Sequence, residues 1–171
     1  RLKTDRESFA RLICEEVQKP IKEARREVAR AVFTFLWASE ETKRFSGELL
    51  PLDLDPNSEE RIALTRRFPR GPALLITPFN FPLNLVAHKV APAIAVGTPF
   101  ALKPAPQAPR TALKLVQLIV ESGWPQEAMA VVNCPVEAAE ALVRDERFGV
   151  LSFTGSAKVG WRLKSIAGKK H

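Results

Sequence analysis

The chain has no tyrosine and only two cysteines among its 171 residues. Cys14 and Cys134 belong to no CxxC or Cys/His pattern, so the sequence predicts neither a disulfide framework nor a structural zinc site. The longest apolar stretch, residues 83–102, is interrupted by His, Lys, Pro and Gly and is too broken to span a membrane. The amino terminus is charged with no apolar region behind it, so we expect no secretory signal. These absences indicate a cytoplasmic protein without a membrane contact.

Composition and charge narrow the class of protein further. With 46% hydrophobic and 26% charged residues, the chain is typical of a soluble domain with one core. The net charge is +7, and residues 71–171 hold 11 Lys and Arg against 6 Asp and Glu. A positive field attracts any anion, whether nucleotide, acidic metabolite or nucleic acid. No nucleic-acid motif accompanies the basic run 66–70 and stacking residues are scarce, so we expect a solvated linker there and no nucleic-acid partner.

Residues 5–45 have a helical period, which predicts a shorter helix followed by one of about 25 residues. The positions predicted to face the core are Ile21, Ala24, Val28, Ala31, Val32 and Phe35. The opposite face is predicted to hold Lys22, Glu23, Arg25, Arg26, Glu27 and Arg30. Residues 51–70 are rich in Pro, Asp and Ser and are interpreted as a surface connection. The chain is thus divided into an N-terminal helical segment with its connection, 1–70, and a second domain, 71–171.

After Gly71, short apolar runs alternate with stretches of helical period, which indicates a βα repeat. Strands are predicted near 73–77, 99–102, 128–133 and 149–153, and helices near 83–96, 109–122, 136–145 and 157–167. The strand runs lack strict apolar and polar alternation, so both faces of the sheet are expected to be covered. The predicted fold class is therefore α/β, an open doubly wound parallel sheet of Rossmann-like type preceded by long helices.

Ligands of such sheets bind beyond the carboxyl ends of the strands. Neither GxGxxG nor GxxxxGK[ST] occurs in the turns at those ends, so a nucleotide would have to be held differently. In the first turn, Asn80 lies between Pro78 and Pro82; its amide could donate to an oxyanion or simply cap the next helix. Lys103 ends the second strand and could bond a phosphate or a ribose, or be solvated. Both pairs of alternatives stay open at this point.

The turn after the fourth strand, Thr154–Ser156, joins an apolar strand to a helix. Free amide groups and the positive end of a helix dipole are expected to face outward there. Lys158 in the first helical turn opposes that dipole, which mildly favours a bound phosphate.

Three segments resemble ordered motifs of the aldehyde dehydrogenase superfamily: residues 76–83, 102–105 and 153–160. The resemblance implies oxidation of an aldehyde by NAD or NADP through a cysteine thiohemiacetal, and Asn80 would be the catalytic residue that polarises the aldehyde oxygen. It also implies the cofactor-binding residues Thr77, Pro78, Phe79, Asn80, Lys103, Ala105, Pro106, Phe153, Thr154, Gly155, Ser156 and Gly160. In that reading residues 77–79 line the nicotinamide side, Lys103 bonds the adenosine ribose, and Gly155 and Ser156 lie against the pyrophosphate. No metal site is expected.

The sequence resembles only part of the family pattern. The family segments that carry the general-base Glu and the nucleophilic Cys have no counterpart in these residues. Neither Cys14 nor Cys134 has a neighbour spaced to activate it, so we predict that neither is the nucleophile. The chain alone is expected to bind a nucleotide weakly and not to turn over an aldehyde. A reductase of acyl-phosphates or acyl-CoA esters and a non-catalytic nucleotide-binding module are the alternatives.

Pro106 stands where strict NAD users of the family tend to have a carboxylate, which repels a 2′-phosphate. The resemblance therefore implies that NADP is tolerated or preferred. It also implies an aldehyde substrate and a homo-oligomer for the full-length protein.

Overall fold

The computed structural model describes residues 1–168. Two helices open the chain, α1 (Arg6–Val17) and α2 (Ile21–Thr42), as predicted. Between them Gln18 adopts φ 53°, a left-handed conformation, and its amide donates to the carbonyl of Cys14 to close α1. Pro20, at the N-cap position, then starts α2.

The region predicted as a plain surface connection contains an antiparallel hairpin. Strand β1 (Leu49–Pro51) pairs with β2 (Ile62–Leu64), with Leu50 opposite Ala63. The prediction missed these strands because three residues are too few to show a periodic pattern, and the Pro and Asp residues between them indicated only a loop. The hairpin exposes apolar side chains, with Leu49, Ile62 and Leu64 each more than half exposed.

Four parallel strands form the main sheet: β3 (Ala73–Ile76), β4 (Phe100–Lys103), β5 (Met129–Val131) and β6 (Val150–Phe153). The helices after them are α3 (Asn84–Ala95), α4 (Pro109–Val120), α5 (Val136–Arg144) and α6 (Ala157–Ala167). A short 3₁₀ turn, Gln126–Ala128, leads into β5. The predicted doubly wound α/β fold is confirmed.

The central strands β3 and β4 are buried on both faces of the sheet, whereas β5 and β6 are partly exposed. Ala73 and Leu75 of β3 contact a core that includes residues of α1, α2, α3 and α4, whereas Leu74 and Ile76 face a second cluster that includes residues of α5 and α6. Successive residues of one strand thus meet different helix layers, which explains the continuous apolar run. The first core joins the N-terminal helices to the sheet. None of the helices within residues 1–168 is long and apolar enough to cross a membrane.

The strand order in the sheet is β5-β4-β3-β6. From β3 the chain moves outward through β4 to β5, and then returns to place β6 on the other side of β3. The order therefore reverses between β3 and β6. Such a switch point leaves a crevice beyond the carboxyl ends of the two strands, which is where doubly wound sheets bind ligands.

Candidate functional site

The carboxyl ends of three adjacent strands are aligned at one rim of the sheet. Ile76, the last residue of β3, is the register partner of Lys103 in β4 and of Phe153 in β6. The next residues continue the ladder: the amide of Thr77 donates to the carbonyl of Lys103 at 3.2 Å, and the amide of Thr154 donates to the carbonyl of Ile76 at 3.1 Å. The turns that the sequence singled out after β3, β4 and β6 therefore start side by side.

The turn after β3 rises from the sheet toward solvent. Thr77 is buried, Pro78 is half-buried, and Phe79 and Asn80 are exposed. Asn80 does not cap the next helix. Leu83 is the N-cap residue of α3, and its side chain makes no capping hydrogen bond. Within residues 1–168 the side-chain amide of Asn80 has no hydrogen-bond partner. It is thus available to donate at the crevice.

Glu27 takes the capping role instead, from a distant helix. Its Oε1 accepts hydrogen bonds from the amides of Leu83 at 2.8 Å and Asn84 at 3.1 Å. The prediction that Glu27 lies on the solvated face of α2 is wrong, since its side chain is fully buried. Of the predicted core positions in α2, Ala24, Val28 and Ala31 are buried. Ile21, in the first turn of the helix, is exposed.

Lys103 is buried at the end of β4, with only 6% of its surface exposed. Its ammonium donates to the carbonyl of Pro104 at 3.2 Å, and in the described part of the chain no carboxylate pairs with it. The solvated alternative is therefore not observed. An ammonium has three donors, so this group can still bond a hydroxyl or an anion at the rim. Ala105 is also buried, whereas Pro106 is exposed.

The turn after β6 forms a cleft of about 450 Å³ at the start of α6. Ser156 is the N-cap residue, and its Oγ accepts from the amide of Val159 at 3.4 Å. The aromatic ring of Phe153 fills the space beside the two glycines: a Cβ at Gly155 would lie 2.4 Å from the ring, and one at Gly160 would lie 3.3 Å from it. At position 155, only glycine lets the backbone pass the Phe153 ring without displacing it.

The electrostatics of this cleft favour an anion. The first turn of α6 contains no acidic residue to neutralise the positive end of its dipole. Lys164, in the last turn of α6, is exposed and lines the cleft, and its ammonium lies 5.1 Å from the ring centroid of Trp161. Unsatisfied amides, the helix dipole and the Lys164 cation together suit a phosphate group.

Lys89 is a second buried lysine, and the sequence reasoning missed it. It lies in α3, and its ammonium donates to Oγ of Ser152 in β6 at 2.8 Å. Burial lowers the pKa of Lys89 from 10.5 to about 8, because the apolar surroundings disfavour the charged form. The available signal was one lysine, beside His88, among the interruptions of the largely apolar stretch 83–102.

The two thiols lie apart from Asn80 in the fold. Cys14 is on α1, where it packs partly buried against the core. Cys134 follows β5, the edge strand, with β4 between β5 and the Asn80-bearing β3. Across residues 1–168, no three His, Cys, Asp or Glu side chains are grouped so that they could hold a metal ion.

A groove of about 810 Å³ runs between α2 and α3 beside the Asn80 turn. Its lining is largely apolar and includes the exposed rings of Phe33 and Trp37, with His88 across from them. Arg30 lines it too, and the Arg30 guanidinium carbon lies 5.6 Å from the ring centroid of Phe81, the residue after Asn80. Arg30 is exposed and pairs with no carboxylate in the part of the chain that the structure describes.

The fold is a doubly wound α/β architecture, and the chain belongs to the aldehyde dehydrogenase family, whose model matches residues 1–171. The chain is similar to the 3-sulfolactaldehyde dehydrogenase of Priestia aryabhattai, with 43% identity over 163 residues that make up 95% of this chain and 34% of that protein.

Two solved structures show the same backbone. Aldehyde dehydrogenase 21 from Physcomitrella patens, in complex with the reaction product succinate, matches with a TM-score of 0.94 and 46% identity over 99% of this chain and 35% of that chain. The glyceraldehyde-3-phosphate dehydrogenase GapN from Methanocaldococcus jannaschii, complexed with NADP, matches with a TM-score of 0.91 and 37% identity over 99% of this chain and 37% of that chain. The chain thus spans about a third of the length of the relatives it matches.

Proposed function

We propose that this chain binds NAD or NADP at the rim and forms the cofactor-binding part of an NAD(P)-dependent aldehyde dehydrogenase. The observation that carries the proposal is the alignment of the turns after β3, β4 and β6 at the switch point of the sheet. A dinucleotide is long enough to lie across three such turns, and doubly wound sheets bind dinucleotides at this place.

The residues present fit such a cofactor. The buried ammonium of Lys103 lacks a carboxylate partner within residues 1–168 and would bond a ribose hydroxyl. The cleft at Gly155 and Ser156 would hold the pyrophosphate against the first turn of α6. Thr77, Pro78 and Phe79 would lie on the nicotinamide side. When bound, the dinucleotide supplies the acceptor for the hydride that leaves the substrate.

Asn80 would act on the substrate. Its side-chain amide has no hydrogen-bond partner within residues 1–168, is exposed in the turn after β3, and would donate a hydrogen bond to the aldehyde oxygen as negative charge develops there. The nucleophilic thiol would come from a part of a longer protein that these residues do not include.

NADP is proposed to be tolerated or preferred over NAD. Pro106 is exposed at the rim after Lys103 and offers no carboxylate to repel a 2′-phosphate. The complex of the related GapN with NADP supports this choice.

The substrate is proposed to be an aldehyde that carries an anionic group. Of the three relatives described above, one is named for 3-sulfolactaldehyde, one was solved in complex with its reaction product succinate, and one is named for glyceraldehyde-3-phosphate; each of these compounds is an anion. Arg30 pairs with no carboxylate among residues 1–168, and it lines the groove beside the Asn80 turn. A guanidinium there would favour carboxylate, sulfonate or phosphate over a neutral group.

The full-length protein is proposed to be a homo-oligomer. The hairpin β1–β2 supports this, because its apolar side chains are exposed and a two-stranded ribbon is marginally stable without further packing. Light scattering of the full-length protein would test the proposal.

Nucleotide titration of this chain tests the function directly. Lys103→Met replaces a buried cation by an apolar side chain of similar length, and it should weaken NADPH binding by about tenfold or more, the value of lost charge-assisted hydrogen bonds. Lys43→Met changes an exposed lysine whose one partner within residues 1–168 is Glu40 on α2; it is the matched control and should bind as the unchanged chain does. Equal affinities for all three proteins would contradict the proposed site.

A further inference from the structure

A buried ion pair, Lys19 with Glu27, lies directly beneath the turn that carries Asn80. The Lys19 ammonium and Glu27 Oε2 are 2.5 Å apart; the lysine side chain is 14% exposed and the glutamate side chain is fully buried. Burying both charges is costly unless every polar atom has a partner. The partners of this pair therefore show what it stabilises.

On the glutamate side, Oε1 accepts from the amides of Leu83 and Asn84, the first groups of α3. A helix leaves its first amides without intrahelical partners, and a side chain normally supplies the acceptor from the cap position. Here the cap residue is Leu83, which has no side-chain acceptor, and the first turn of α3 has no acid. Glu27 thus fixes the downstream end of the turn 77–83.

On the lysine side, the ammonium donates to the backbone carbonyl of Asn80 at 2.7 Å. The same ammonium lies 4.0 Å from the ring centroid of Phe81. A cation on an aromatic face and a hydrogen bond to the preceding carbonyl hold two successive residues at once. Lys19 therefore fixes the middle of the turn at Asn80 itself.

We propose that Lys19 and Glu27 are positioning residues for Asn80, which together hold its backbone in the conformation that aims the side-chain amide at the substrate oxygen. Neither side chain touches the reacting atoms. This inference depends on the proposed role of Asn80. Its physical basis is that donors to a developing oxyanion must be held in place before the reaction, because a small displacement costs much of their effect.

Two variants separate the role of Lys19 from that of Glu27, and a third variant is the control. Lys19→Met removes the bond to Asn80 and the cation on Phe81. Glu27→Gln keeps an oxygen of the same shape for the amides of Leu83 and Asn84 but releases Lys19. Lys22→Met, an exposed lysine three residues along on α2 with no partner in the described residues, is the matched control.

The first measurement is made on this chain by amide hydrogen exchange. In Lys19→Met the amides of Leu83 and Asn84, which donate to Glu27, and of Leu85, which donates to the carbonyl of Phe81, should exchange about tenfold faster or more, while those of the β3 strand stay unchanged. Glu27→Gln should speed the exchange of the Leu85 amide more than that of the Leu83 and Asn84 amides. The inference would be overturned if, in both variants, the amides of this turn exchanged at the rates of the unchanged chain. It would also be overturned if exchange became faster by the same factor throughout the sheet.

The second measurement uses the full-length protein with its aldehyde. Lys19→Met and Glu27→Gln should each lower kcat by about tenfold or more with little change in the KM for NADP, because the loss is of orientation at the oxyanion and not of cofactor contacts. If Lys19→Met does not fold, Glu27→Gln decides the outcome. An unchanged kcat in a folded variant contradicts the inference. An unvaried full-length protein that oxidises no aldehyde instead contradicts the proposed function and leaves the exchange result to decide the positioning claim.

Discussion

Ile76 and Phe153 are register partners at the carboxyl ends of β3 and β6, the two strands between which the chain order reverses. This pairing brings the turn that carries Asn80 next to the turn that carries Gly155 and Ser156. The ring of Phe153 then packs against the glycines that follow it. The crevice of the proposed cofactor site is the space beyond this pair.

Replacement of Gly155 by alanine should damage the cleft. The added Cβ would lie 2.4 Å from the Phe153 ring, so the ring must move, at a cost of about 1–3 kcal/mol in unfolding free energy. Urea denaturation and NADPH titration would both report the loss. Gly160→Ala, where the contact is 3.3 Å, should cost less.

The double variant Phe153→Leu with Gly155→Ala provides the control, because a shorter side chain leaves room for the new Cβ. It should recover most of the stability lost in the single variant. A single variant as stable as the unchanged chain would contradict the close packing of ring and glycine.

Introduction of a carboxylate at Pro106 should shift the choice of nucleotide. In Pro106→Glu the affinity for NADPH should fall by about tenfold or more relative to NADH, since the new charge repels a 2′-phosphate and accepts from ribose hydroxyls. Dissociation constants for both nucleotides check this. Pro106→Gln separates charge from loss of proline and should shift the ratio less. A preference for NADH above about tenfold in the unchanged chain would contradict the proposed NADP tolerance.

Lys89 should titrate near pH 8. Nuclear magnetic resonance of the labelled ε-methylene, assigned by its absence in Lys89→Met, should give a pKa of about 8 against the usual 10.5. Below pH 8 the lysine is charged in both the folded and the unfolded chain, so the cost of burying the charge is fully present. Between pH 8 and 10.5 only the unfolded chain holds the proton, and folding becomes more favourable as pH rises.

The unfolding free energy of the unchanged chain should therefore increase relative to Lys89→Met over that window. A titration midpoint at the usual value, or a stability difference that is constant with pH, would count against the burial of this amine.

In the full-length protein, alanine substitution of Asn80 should lower turnover, whereas alanine substitution of Cys134 should not. Asn80→Ala should lower kcat by about 10²–10³-fold, the usual effect of losing one oxyanion donor. Cys134→Ala should leave turnover largely intact, because this thiol follows the edge strand β5, with β4 between that strand and β3. Total loss of activity in Cys134→Ala would show that it is the nucleophile after all.

The strands and helices of the sheet region could be predicted because each is a local pattern. Three of the strands are runs of four apolar or mostly apolar residues beside Gly or Pro, and these runs end at Ile76, Lys103 and Phe153. Because the carboxyl ends of parallel strands lie at one rim of the sheet, the turns that follow them were predicted to lie together. Strand β5 was predicted too long, as 128–133 against the observed Met129–Val131. Its first predicted residue belongs to the 3₁₀ turn Gln126–Ala128, and the strand ends two residues earlier than predicted.

Glu27 shows what a local pattern cannot supply. Because it is a charged residue on an amphipathic helix, Glu27 was predicted to be exposed to solvent. The amides that donate to its buried carboxylate lie 56 and 57 positions further along the chain. Lys89 is the same case, because Ser152, its partner, belongs to the last strand. Pairings at such separations depend on the packed fold and leave no periodic trace in the sequence.

Nitrogen-proton correlation spectra of this chain, recorded during titration with NADPH to millimolar concentration, would locate the nucleotide site residue by residue. A dinucleotide bound at the rim should shift amides that cluster in the turns 77–80, 103–106 and 154–160, and the shifts should saturate. Saturating shifts on the outer faces of α1 or α4, or no shifts at all, would contradict a dinucleotide site at the rim.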